Sequence, residues 1–146
     1  MSYFEDLLPC SYFGEAAGQF LRSVGWLQRG KPFVTGIADE KMLSKLRELL
    51  KDPWQPFVTL GLHDCELCHY YPEARGTKNL FVPGERILFV SPELILHYMN
   101  AHGYCPPSEF CEAVLRCPDT RTSEYRRAIL QCGGHVLIES KAQLNL

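Results

Sequence analysis

The apolar residues of this chain change their spacing once along its length. As far as Val90 most of them fall in short runs, at Phe33 to Thr35, Pro56 to Leu62, Leu80 to Val82 and Ile87 to Val90, whereas beyond Ser91 they recur at helical intervals. Aromatic and β-branched runs fit a pleated strand, and recurrence at i, i+3 and i+4 builds one face of a helix. A single helical pattern precedes the change: after Asp39, residues Met42, Leu43, Leu46, Leu49 and Leu50 repeat until Pro53 ends them. Strands with one helix first and three helices afterwards predict an α+β domain, with a mainly antiparallel sheet packed against about four helices, rather than a regular βαβ alternation.

The punctuation refines this reading. Pro83-Gly84-Glu85-Arg86 joins the runs on either side of it into a hairpin, and Gly30-Lys31-Pro32 is read as the turn of a second hairpin between Phe20–Leu27 and Phe33–Thr35. Ser91-Pro92-Glu93 has the residue types of a helix start, which predicts a helix from Pro92 to His102 ended by Gly103. A helix through Phe110, Val114 and Leu115 stops before Pro118, and another carries Tyr125, Ala128, Ile129 and Cys132 ahead of Gly133-Gly134. Val136 to Ile138 reads as a short final strand, and roughly the first twelve residues as an irregular surface lead-in. With no interdomain linker, residues 1–146 form a single domain, long enough for folding to remove roughly 70% of the extended chain's surface from water.

Composition narrows the function. The net charge of −2 supplies no basic field to draw in a phosphate backbone, so a nucleic-acid partner is disfavoured. Arg121, Arg126 and Arg127 read as the solvated face of the last helix. No apolar run is long enough to span a bilayer, and Met-Ser-Tyr-Phe-Glu-Asp lacks the features of a secretory leader, so a cytoplasmic location is expected. Seven scattered cysteines, an odd number, suit reduced thiols or a metal better than a disulfide framework.

Cys65 and Cys68 carry the clearest chemistry. Two cysteines separated by two residues can aim both thiolates at one ion from a tight turn, but a tetrahedral zinc ion needs four ligands. His63 lies two residues upstream, and the helix after Ser91 offers His97 and His102, with Cys105 just beyond it. His97 and His102 lie about 140° apart around a regular helix, so only one is expected to face the ion. His102 shares a stripe with Ile95, Tyr98 and Met99 and is preferred; His97 is placed on the flank. Four protein ligands would make a closed, structural zinc site in a non-enzymatic domain that binds another protein. A metal-dependent hydrolase with an open zinc position is the alternative, with Glu66 as an imagined base although the deaminase pattern is absent. A redox pair and a metal-free, packed pair of thiols are the other readings. Neither a phosphate-binding glycine loop nor a Gly-x-Ser-x-Gly elbow occurs. Trp54 and Tyr104, each beside or near a proline, are expected to be exposed.

The residues Gly61-Leu-His63-x-Cys65-Glu-Leu-Cys68, Asn79-Leu-Phe-Val-Pro83-Gly84, Pro92-Glu-Leu-Ile-x-His97-Tyr98 and His102-Gly-Tyr104-x-Pro106-Pro107 together resemble an uncharacterised bacterial protein family, a domain of unknown function. The resemblance runs from about Pro9 to Pro118. It implies a bacterial, cytosolic protein in which the cysteine turn and the His-Tyr helix belong together, and it brings no activity with it.

Overall fold

A computed structural model describes residues 3–56, 62–68 and 74–138. The hairpin around Gly84 organises the fold. Strands β4 (Asn79–Pro83) and β5 (Leu88–Pro92) pair antiparallel with Phe81 opposite Val90, and the Gly84 N–H closes the turn on the Ile87 carbonyl at 2.9 Å. Consecutive residues of both strands are buried, Leu80, Phe81 and Val82 on one and Leu88, Phe89 and Val90 on the other, so both faces of this hairpin are covered. The short strand β1 (Leu21–Ser23), which follows the single helical turn α1 (Glu15–Gly18), lies parallel to β5 with Leu21 opposite Leu88. The sheet order is therefore β1-β5-β4, with one parallel and one antiparallel pairing. Apart from it, β2 (His63–Asp64) and β3 (Arg75–Gly76) form a small antiparallel pair.

The helices cover this sheet with the faces their sequences offer. In α2 (Glu40–Lys51) the buried residues are Met42, Leu43, Leu46 and Leu49, and the helix packs on α3 (Ile95–His102) and α4 (Ser108–Arg116). Helices α4 and α5 (Ser123–Gln131) both lie against β4, burying Phe110, Ala113 and Val114 from the first and Tyr125 and Ile129 from the second. The start of α5 is fixed by Thr122, whose hydroxyl accepts from the Tyr125 N–H at 3.2 Å, and the Tyr125 hydroxyl in turn donates to the Phe81 carbonyl. The molecule is thus a single α+β domain with a small mixed sheet.

Several local expectations are corrected. Ser91 and Pro92 do not open a helix; they are the last residues of β5, opposite Leu80 and Asn79, and α3 begins only at Ile95. Extending the ladder wins over the cap chemistry, and proline is tolerated because it sits where the strand ends. Residues 33–35 form no hairpin with the segment before them. Thr35 bridges Tyr104, and the Cys105 N–H donates to the Val34 carbonyl at 2.9 Å. The partner of β1 is β5 on one side and the lead-in on the other: the Leu7 and Cys10 amides donate to the Ser23 and Leu21 carbonyls, and Cys10 is fully buried. That pairing covers the free edge of β1, so the lead-in is part of the core margin rather than a surface strap. Residues 135–138 are a helical turn, not a strand, because their amides close locally on Gly133 and Gly134. Tyr104 is buried, its hydroxyl donating to Asp6 at 2.7 Å, and Trp54 is half-buried against Phe81. The strand expected from Pro56 to Leu62 falls mostly outside the described residues.

Candidate metal centre

β2 ends at Asp64, and the chain then turns through Glu66 and Leu67 so that Cys65 and Cys68 come round to the same side. The turn is anchored by the Cys65 N–H, which donates to the Ala74 carbonyl at 2.8 Å. The amides of Leu67 and Cys68 in turn reach the Cys65 sulfur. Backbone N–H groups aimed at a sulfur favour its thiolate form, the form that binds metal. Opposite this turn, α3 supplies two imidazoles.

Cys68 Sγ lies 3.0 Å from His97 Nε2 and 3.6 Å from His102 Nε2, while Cys65 Sγ is 3.4 Å from His102 Nε2. One donor atom from each of the four residues lies within 4.8 Å of every other. A tetrahedral ion with metal–sulfur bonds of about 2.3 Å and metal–nitrogen bonds of about 2.0–2.1 Å would separate sulfur from nitrogen by about 3.6 Å, and sulfur from sulfur by about 3.8 Å. The observed spacing is close to that, slightly contracted. Cys65 is buried and the other three residues are partly exposed, so the group lies at the margin of the core rather than in its centre.

Burial pushes the Cys65 thiol up to about 11, and the neighbouring Cys68 adds to the effect. His97 is shifted the other way, toward the neutral imidazole, first by burial and then by His102 beside it. The surroundings therefore disfavour the Cys65 thiolate and the His97 imidazolium in the metal-free chain. A divalent cation would reverse the first of these, stabilising both thiolates, and neutral imidazole is already the ligand form.

The sequence-derived set separates into two groups. The structure brings Cys65, Cys68 and His102 together. His97, assigned to the flank, also belongs to the cluster, with its ring centroid 5.1 Å from that of His102. The separation of about 140° describes where the two side chains leave the helix, not where they end: each imidazole reaches several ångströms from the backbone, and both Nε2 atoms end beside the Cys68 sulfur. His63 is not in the cluster. Its Nε2 is 3.4 Å from the Tyr12 hydroxyl, its ring meets Trp26 edge to face at 5.8 Å, and burial lowers its pKa. Strand alternation would have placed His63 and Cys65 on one side, but β2 stops at Asp64 and the turn carries the sulfur away. Cys105 also stands apart, its sulfur beside Gly36 and the Pro106 carbonyl.

The ion pair nearest in sequence to the cysteine turn, Asp64 with Arg75 at 2.8 Å, is largely exposed and ties β2 to β3. A cavity of about 680 Å³ opens elsewhere, between β5, α4 and α5, with Phe89, Ala113 and Cys117 in its wall and none of the four donors. No helix among the described residues is long and apolar enough to cross a membrane.

Over residues 2–115 the chain matches a family described as a domain of unknown function (DUF7919), and it belongs to that family. The matched stretch contains all four clustered residues and ends within α4, leaving α5 beyond it. No curated protein and no solved structure matches the chain.

Proposed function

We propose that this member of the DUF7919 family is a small non-enzymatic domain in which Cys65, Cys68, His97 and His102 hold one structural zinc ion, and that it acts as a protein-interaction module. The observation that carries the reading is the convergence of four soft or borderline donors, two sulfurs and two imidazole nitrogens, within 4.8 Å of one another. Four protein ligands fill a tetrahedral shell and leave no position for water or substrate, which favours a structural over a hydrolytic role. Sulfur with imidazole also favours zinc over magnesium or calcium, which take oxygen donors. When bound, the ion would supply a cross-link: it would tie the turn after β2 to α3, two elements separated in sequence by β3 and the β4–β5 hairpin.

The interaction role is supported by the segment held against Tyr104 and Cys105. There Val34 is 67% exposed and Ile37 fully so, an apolar pair that a partner protein would cover. If so, Ile37→Asp should lose a protein that the wild type retains in affinity capture, and identical retained sets would count against the role.

The metal reading is tested by elemental analysis of protein purified without added metal, with a count of reactive thiols. Near one zinc per chain, lost on replacing Cys65 and Cys68 by serine, is the expected result. Metal-free protein, with Cys68 as open to alkylation before as after chelator treatment, would overturn it and leave a packed, metal-free domain.

A further inference from the structure

Seven cysteines are divided by the fold into three sets. Cys65 and Cys68 belong to the donor cluster. Cys10, Cys117 and Cys132 are buried, no more than 5% exposed. Cys105 and Cys111 remain, the two partly exposed thiols outside the cluster. Both sulfurs lie 3.8 Å from the same atom, the carbonyl oxygen of Pro106. Cys111 is pushed up to about 11, by burial first and by the neighbouring Cys105 second.

The backbone explains why they meet. Cys105 sits in the connection after α3, fixed by its N–H bond to the Val34 carbonyl and by Tyr104 bridging Thr35. Cys111 lies in the first turn of α4, and its side chain leans toward the helix start, as helical side chains do. Pro106 and Pro107 hold the intervening chain extended up to the helix and limit its freedom to carry the two sulfurs apart.

We propose that Cys105 and Cys111 form a reversible disulfide site that reacts with low-molecular-weight disulfides such as oxidised glutathione. The Cys105 thiolate attacks one sulfur of the small disulfide, breaking its S–S bond, forming a mixed disulfide and releasing one thiolate. The Cys111 thiol then gives up its proton to solvent and attacks the Cys105 sulfur, which forms the Cys105–Cys111 bond and releases the second small thiol. Two protein thiols are oxidised and one small disulfide is reduced to two thiols. The bond would staple the end of α3 to the start of α4. The inference does not depend on the zinc reading, because neither cysteine belongs to the donor cluster.

The as-purified chain is treated with oxidised glutathione at mildly alkaline pH, quenched by alkylation and cleaved after glutamate; Glu109 separates the two cysteines, so a linked pair of peptides identifies the bond. Metal content is measured on the same samples. The expected result is loss of two alkylatable thiols per chain, recovery of the Cys105–Cys111 peptide pair, reversal by a reducing dithiol, and unchanged metal. Cys111→Ser should instead accumulate glutathione on Cys105. Independent glutathione adducts on both wild-type cysteines, a predominant bond between any other pair, or no reaction under conditions that oxidise a model dithiol would overturn the proposal.

Discussion

Replacing His97 and His63 separately by alanine distinguishes the proposed ligand set, drawn from the donor cluster in the structure, from the one that sequence spacing alone suggests. Suppose free zinc is buffered at a hundredfold excess over the wild-type dissociation constant. Binding to the folded chain alone then contributes about 2.7 kcal/mol. For a chain of this length a change of 1 kcal/mol moves the melting temperature by about 3–4 °C, so zinc should raise it by about 8–11 °C over the chelator-treated protein. His97 Nε2 makes the shortest contact with Cys68, and its loss reduces four donors to three. Losing an outer partner of a metal ligand already costs about 10- to 100-fold in affinity, and losing a ligand should cost no less. At a hundredfold, the same buffer sits at the variant's dissociation constant and the stabilisation falls to about 0.4 kcal/mol, a shift of about 1–2 °C. His63→Ala should keep the full zinc-dependent shift, although its metal-free baseline falls because the ring packs with Tyr12 and Trp26. Differential scanning fluorimetry in a zinc buffer, with and without chelator, measures all three proteins. A full shift in His97→Ala together with a lost shift in His63→Ala would refute the assignment.

Two further predictions concern the frame around the site. The Ser91 hydroxyl is buried in β5 without a hydrogen-bonding partner among the described residues, so Ser91→Ala should be neutral or stabilising by up to about 1–2 kcal/mol. If Ser91 capped a helix the same change would cost about 1 kcal/mol, and a loss of that size in urea unfolding would contradict the strand assignment. Asp6 accepts from the Gly25 N–H and the Tyr104 hydroxyl, yet burial raises its pKa above the ordinary carboxylate value. Because the folded value is the higher one, its contribution is fully present below the unfolded pKa and is lost as pH rises through the folded pKa. Asp6→Asn should therefore compare more favourably with the wild type at pH 7 than at pH 4 in denaturant titrations; the opposite trend would sink the argument.

The broad architecture was legible because period and punctuation agreed: the Leu-rich face of α2 and the turn at Pro83-Gly84 needed no distant partner to specify them. Ser91 to Glu93 misled because local cap chemistry competed with a ladder to Asn79 and Leu80 that no local window contains. The parallel neighbour of β1 was equally hidden, since pairing Leu21 with Leu88 leaves no mark in either segment. At the candidate metal centre, residue types and spacing pointed to the cysteine turn and to one of the two histidines that gather beside it. Which second histidine joined depended on where β2 stopped and on how far the imidazoles of α3 reach from their backbone, differences of a residue and a few ångströms.

The parallel contact between β1 and β5 also bears on how the molecule assembles. The β4–β5 hairpin, α3 and the cysteine turn are near one another in the chain and can associate early, whereas β1 must wait for a strand made much later. Long-range closure of this kind is slow and forms late. During synthesis the first half of the chain emerges with β1 lacking its central neighbour, held only by the lead-in along its outer edge. That makes the edge pairing of residues 4–10 a guard against wrong association as much as a part of the finished fold.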